Sequence, residues 1–250
     1  MTKLGLTMQD VNRLSHDLSV ENKAVAAQKI SAYYDGTDIS ERGRKLAEDI
    51  FRIMVEDVQV KVREVLSESL KNCKSIPRDI TVKLINDQDS VAVPFIKYYA
   101  NLTKEDLISI IEAQSSNKQK AVAQRKNLPE DVSQYIVDKC SEDVVGVLIS
   151  NESANIVEKT YDSIIDKYSD SDNIKKHLVY RSDLPVSVIE KIVSSLSDEL
   201  QKRLITTHNL PNNIATDIAE QVRKPRCDFE EYSSINRLKN WFTSFTPPIT

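Results

Sequence analysis

Glycine is the scarcest common residue of this chain: four in 250, against the roughly 7% usual for soluble proteins. Sheets with tight hairpins and phosphate-binding loops need glycine, because it alone takes positive φ without steric cost. A chain with four glycines is not a β-barrel, and a doubly wound nucleotide-binding sheet is not expected either. With 40% hydrophobic and 29% charged residues, it has the apolar content for a sizeable core. These features predict an all-α protein.

The joints between helices recur. A short apolar stretch is followed by Asn or Asp, one apolar residue, then Pro, Ser or Thr. The pattern occurs at Asn101-Leu102-Thr103, Asn127-Leu128-Pro129, Asp183-Leu184-Pro185 and Asn209-Leu210-Pro211. Asn151-Glu152-Ser153 is a degenerate copy lacking the apolar residue, and Ile76-Pro77 an earlier one with its Asn displaced to Asn72. Counted on the Asn/Asp, positions 101, 127, 151, 183 and 209 are spaced 26, 24, 32 and 26. Asn and Asp tolerate the left-handed conformation that ends a helix, and Pro, Ser and Thr suit the start of the next. The apolar residue between them plugs the turn into the core. Each repeat then holds two helices of ten or so residues, too short to stand alone. The expected fold is therefore a right-handed α-solenoid of HEAT-like helical pairs, about 26 residues each.

The first quarter reads differently, as longer helices over 7–18 and 20–34 joined at Ser19, a third capped by Ser40 and running to 55, and a fourth over 58–70. On the third, Leu46, Ile50, Ile53 and Met54 mark the expected buried face. The interval 153–172 reads as a longer helix pair with a loop at 168–172. The expected organisation is a helical N-terminal cap over 1–74, a repeat array continuous with it over 75–224, and a tail over 225–250. In that tail Ile235, Leu238, Phe242 and Phe245 share one helical face with Trp241 beside them, between Ser233-Ser234 and Pro247-Pro248. This is the pattern of a short amphipathic helix.

Several segments resemble a known family. They are 13–19 (Arg13-Leu14-Ser15-His16-Asp17-Leu18-Ser19), 62–70, 89–96 (with Val93-Pro94-Phe95-Ile96), 102–108, 121–125 and 148–154. Together, over roughly residues 10–220, they resemble the alphaproteobacterial proteins grouped as domain of unknown function 2336. That resemblance implies a bacterial, cytoplasmic α-solenoid of short HEAT-like or leucine-rich-variant repeats. It brings no catalytic residue with it.

The chain carries 34 basic and 38 acidic residues, a net charge of -4, so there is no global nucleic-acid footprint. Its three cysteines, Cys73, Cys140 and Cys227, form no metal or redox spacing and read as buried small hydrophobes of a reducing compartment. The longest apolar run, 144–149, is far short of the ~20 residues of a membrane span. The three histidines make no ligand motif, and no nucleophile elbow or phosphate loop occurs. No catalytic residue, cofactor or metal is predicted.

The expected function is protein–protein interaction, as a cytoplasmic adaptor or regulatory scaffold with a protein partner. Aligning the repeats on the joint gives a column of Tyr98 and Tyr180 and, one residue on, a column of Tyr99, Arg125 and Arg181. Tyr and Arg are the residue types that carry interface energy. These five residues, with Trp241, Phe242 and Phe245 of the tail, are the candidate partner-binding residues. Each has a structural reading beside it: Tyr with its ring in the core, Arg capping helix carbonyls, the tail helix covering the last repeat. Two alternatives stay open. One is a nucleic-acid-binding solenoid, disfavoured by charge. The other is a peripheral membrane protein docking through the tail helix.

Overall fold

The computed structural model describes residues 19–37, 39–113 and 115–208. Among the described residues there are thirteen α-helices and no strand: α1 (Val20–Tyr34), α2 (Glu41–Val55), α3 (Val60–Leu70), α4 (Arg78–Asn86), α5 (Asp89–Tyr98), α6 (Lys104–Ala113), α7 (Ser116–Ala123), α8 (Glu130–Lys139), α9 (Glu142–Ile149), α10 (Glu158–Lys167), α11 (Asp172–Tyr180), α12 (Val186–Val193) and α13 (Asp198–His208). The expected all-α class holds. The chain divides into two compact units, Met1–Val188 and Ile189–Thr250.

Local chemistry sets the first helix starts. Ser19 Oγ accepts from the Asn22 N–H ahead of α1, and Ser40 Oγ accepts from the Gly43 N–H ahead of α2. Each satisfies one of the donors a helix leaves unpaired at its start. The helix expected over 58–70 begins two residues later, at Val60, because Asp57 turns its carboxylate onto the Gln59 N–H; Val58 is left in solvent. The expected face of α2 is also corrected. Ala47, Phe51, Met54 and Val55 are buried, whereas Leu46 and Ile53 are exposed. Phe51 at the centre of the stripe sets the rotation, meeting the edge of Tyr34 at 5.4 Å between ring centroids.

In the first unit the helices form two rows. α1, α3, α5, α7, α9 and α11 pack each on the next; α2 packs on α4, and α6, α8 and α10 pack in succession. Each sequential pair α1/α2, α4/α5, α6/α7 and α8/α9 also packs together, so the apolar stripes meet between the rows. Val132, Ile136, Val137 and Cys140 of the α8 segment are all buried there, as are Val144, Val145, Leu148 and Ile149 of α9.

The plugs behave as expected. Ile76, Leu102, Leu128 and Leu184 are all buried, and a helix starts two residues after each. The degenerate joint is a correction. Expected to lack an apolar plug, it has one at Ile156, buried and two residues ahead of α10. Counted on the plugs, positions 76, 102, 128, 156 and 184 are spaced 26, 26, 28 and 28. The irregular 24 and 32 arise because four residues separate Asn151 from Ile156 where none separates Asn101 from Leu102. The helix pair expected to be longer over 153–172 is therefore ordinary in length, and the extra residues lie in its joint.

The left-handed reading of the joint Asn holds at one place. Among the described residues Asn127, with φ 52°, is the only non-glycine at positive φ, and no described glycine is there. Asn101 and Asn151 use their side-chain amides instead, as the next section shows.

In the second unit, the described part of 189–208 buries Ile189, Ile192, Leu196 and Leu204. Gln201 is buried with its amide donating to the Val193 carbonyl at 2.9 Å. The copy at 209–211 lies outside the described residues, as do the helix expected over 7–18 and the whole tail.

Candidate functional site

The two columns singled out in the sequence separate cleanly. Tyr98 is 50% exposed and Tyr180 58% exposed, while Tyr99, Arg125 and Arg181 are buried. In register terms, the residue three before the plug faces inward and the residue four before it faces out: Tyr99 and Tyr98 before Leu102, Arg125 and Gln124 before Leu128, Arg181 and Tyr180 before Leu184.

The inward residues fasten each joint to the one before it. Tyr99 stacks on Phe95 with centroids 4.7 Å apart, and its hydroxyl accepts from the Ile76 N–H at 3.2 Å. Arg125 donates to the carbonyls of Ile96 and Ala100. Arg181 donates to those of Ile149 at 2.8 Å, Asn151 at 2.9 Å and Ala154 at 3.0 Å. Sequence reasoning placed an Arg cap on the arginine's own helix. Each arginine instead reaches one carbonyl in the last turn of the preceding inner helix, Ile96 or Ile149, and the others in the joint beyond it.

For other fasteners the sequence carried no sign of the partner. Asn151 Nδ2 donates to the carbonyls of Ala123 at 2.8 Å and Arg125 at 2.7 Å, and Asn101 Nδ2 to that of Lys74. Lys118 is buried and reaches the Ile85 carbonyl at 3.1 Å, and Lys167 reaches that of Val137 at 2.6 Å. Burial lowers the Lys118 pKa against the opposing pull of Asp89 and Asp87. Arg78 grips Asp106 with two guanidinium nitrogens. Asp106 also accepts from the Thr103 N–H at 3.0 Å, while Thr103 Oγ1 accepts from the Asp106 N–H at 3.2 Å, a reciprocal cap on α6.

Tyr98 lies beside a cleft of about 560 Å³ between the joints at 98–104 and 125–129. Two ammonium groups lie over its ring, Lys71 Nζ at 4.7 Å and Lys97 Nζ at 5.3 Å from the centroid. The cleft walls carry Lys97, Lys104, Arg125 and Lys126 together with Leu102, Leu107, Leu128 and Pro129. Lys97 and Lys104 were not singled out in the sequence, since nothing local marks lysines at two joints as neighbours in space.

Ser150 and His177 come closest to a nucleophile–base pair, with Oγ and Nδ1 2.8 Å apart. Ser150 Oγ also donates to the Gly146 carbonyl at 3.0 Å. With its hydrogen given there, Ser150 accepts from Nδ1–H, the reverse of what an activated nucleophile needs. Among the described residues no group of three or more His, Cys, Asp or Glu could hold a metal ion. Cys73 and Cys140 are buried free thiols whose pKa burial pushes up to about 11, where little reactive thiolate forms near neutrality. No described helix is long and apolar enough to cross a membrane. Trp241, Phe242 and Phe245 lie outside the described residues.

No curated protein matches the chain. A solved structure of an engineered protein is similar at 17% identity over 89% of this chain and 95% of its own, with a TM-score of 0.30, too low to bear on the fold. A family model described as an uncharacterised protein conserved in bacteria matches residues 91–230, more than half of the sequence. The segments 102–108, 121–125 and 148–154 fall inside that match, and 13–19 and 62–70 outside it. The chain belongs to the bacterial family of domain of unknown function 2336.

Proposed function

We propose that this chain is a non-catalytic protein-binding module, an adaptor or regulatory scaffold of the bacterial cytoplasm, whose first unit is an α-solenoid of HEAT-like helical pairs. The solenoid reading is supported by the two packed rows of helices and by polar contacts that link residues about one repeat apart, such as Asn151 to Ala123 and Arg181 to Ile149. Buried free thiols fit a reducing compartment.

The observation that carries the binding reading is the outward pair Tyr98 and Tyr180. Each stands four residues before a buried plug on a backbone already fastened from within. An exposed tyrosine on a pre-ordered frame offers a large contact area and a hydroxyl at little entropic cost. The test is capture of host proteins by the tagged full chain, compared with Tyr98→Ala/Tyr180→Ala. A protein partner retained by the natural chain and lost by the variant, with unchanged circular dichroism, is the expected result. Recovery of nucleic acid or lipid in place of protein would overturn the reading.

A further inference from the structure

The cleft beside Tyr98 has a charge that the whole chain does not. The protein carries a net charge of -4, yet the cleft is lined by Lys97, Lys104, Arg125 and Lys126 and by no carboxylate. Lys104 is neutralised by an ion pair to Asp131. The other three are not. Arg125 bonds only to carbonyls, and no described carboxylate pairs with it. Lys97 is engaged by the Tyr98 ring, which leaves its charge in place, and Lys126 is exposed at the rim. Lys71, also over the ring, is paired with Glu68. Glu130 and Asp131 open α8 behind Pro129, and Asp131 is the residue that Lys104 holds.

The fold adds to this. The C-terminal carbonyls of α5 would give its end a partial negative charge. Arg125 covers the Ile96 carbonyl there and that of Ala100 just beyond, so the end facing the cleft repels an anion less. Beyond this repeat pair, carboxylates stand beside the one joint arginine, the carbonyl-bound Arg181. The following joints present Glu152, which accepts from Ser182, and Asp183. A nucleic-acid groove needs cations in register along several repeats. A short concave cleft with three uncompensated cations and an aromatic wall suits a short acidic segment with an apolar anchor.

We propose that this cleft docks an acidic peptide segment of a partner protein, with carboxylates at Lys97, Lys126 and the Arg125 edge and an aliphatic or aromatic side chain against Tyr98. The proposal rests on the protein-binding reading and names the chemistry of the partner.

The experiment selects a random dodecapeptide library displayed on phage against the full chain, then measures the most enriched peptide by fluorescence anisotropy. Enriched sequences with Asp and Glu outnumbering Lys and Arg, around a Leu, Ile, Phe or Trp, are expected. Binding should weaken at least tenfold for the peptide with Glu and Asp changed to Gln and Asn, and at least tenfold for Lys97→Glu/Lys126→Glu. Lys126 is exposed and Lys97 half-buried, and circular dichroism verifies the variant's fold. Neutral or basic enriched sequences, no enrichment, or equal binding to the variant would overturn the proposal. So would a single-stranded DNA oligomer that binds more tightly than the peptide through the same two lysines. If host-protein capture depends on Tyr98 and Tyr180 but not on Lys97 and Lys126, the protein-binding reading stands and this one falls. If no protein is captured, both fall.

Discussion

Arg181 donates to the carbonyl of Asn151 at 2.9 Å, and Asn151 in turn donates to the carbonyl of Arg125 at 2.7 Å. Arg125 donates to the carbonyl of Ala100. Side chain to main chain, four successive joints are tied in a relay of three links. A buried carbonyl that loses its donor keeps the desolvation cost and gains nothing in exchange. Arg181→Ala strands the carbonyls of Ile149 and Ala154 and leaves that of Asn151 with the Ala154 N–H alone. The expected loss is about 2–4 kcal/mol, read from urea unfolding. The neighbouring Tyr180→Ala, at the surface, should cost under about 1 kcal/mol. Equal costs for the two would remove the relay as a source of stability.

The plug register makes a sharper prediction at the degenerate joint. Ile156 is buried while Glu152 is exposed and accepts from the Ser182 hydroxyl at 2.7 Å. Ile156→Asp drives a carboxylate into an apolar site, and about 3 kcal/mol or more should be lost. Leu102→Asp, Leu128→Asp and Leu184→Asp should match it. Glu152→Ala should stay within about 1 kcal/mol, as a surface change does. A reversed order at positions 152 and 156 would restore the spacing counted on asparagine.

These two cases show what the sequence carried and what it did not. Scarce glycine and buried plugs report backbone class and side-chain polarity, which are local, and both were legible at Leu102, Leu128 and Leu184. Ile156 was missed because the asparagine was used as the ruler, and the asparagine is the mobile part of the pattern: Asn127 takes positive φ, while Asn101 and Asn151 bond across to the preceding joint. The face of α2 was misjudged because hydropathy ranks Leu46 and Ile53 with Phe51, whereas the ring that fills the core sets the rotation. Lys118 bonding to the Ile85 carbonyl left no trace at all, since a main-chain acceptor has no residue type. At the candidate site the Tyr and Arg columns were visible, but which faced out was not. A shift of one residue turns a side chain by about 100° on a helix, and a joint hides that phase.

Acid should weaken the protein through three carboxylates. Burial, the largest single influence on Asp57, Asp87 and Asp106, raises each pKa. The donors outweigh it together: Lys23 and the Gln59 N–H on Asp57, Arg63 and the Gln88 N–H on Asp87, Arg78 and the Thr103 N–H on Asp106. All three therefore titrate below the ordinary aspartate range. With the folded pKa lower than the unfolded one, the unfolded chain takes up protons first. The stabilisation is complete above about pH 4 and drains as the pH falls through the lower folded values. Urea midpoints should fall steeply below about pH 4. Asp106→Asn should lower the midpoint at pH 7 and flatten that descent. A descent of unchanged steepness would assign the acid sensitivity to other groups.

Gly146 sits within α9 against the ring of His177. A Cβ there would lie 3.0 Å from both Cδ2 and Nε2 of that ring, so glycine permits the close approach that brings Nδ1 to Ser150 Oγ at 2.8 Å. Two effects oppose each other in Gly146→Ala. Alanine gains about 1 kcal/mol of helix propensity, and displacing the ring forfeits a hydrogen bond worth about 0.5–1.5 kcal/mol. The single change should therefore be nearly neutral. In a His177→Ala background the obstruction is gone, and the same change should stabilise by about 0.5–1 kcal/mol. The double-mutant cycle, measured by urea unfolding, isolates the coupling between the two positions. A zero coupling energy would mean that the ring does not rest on this glycine in solution.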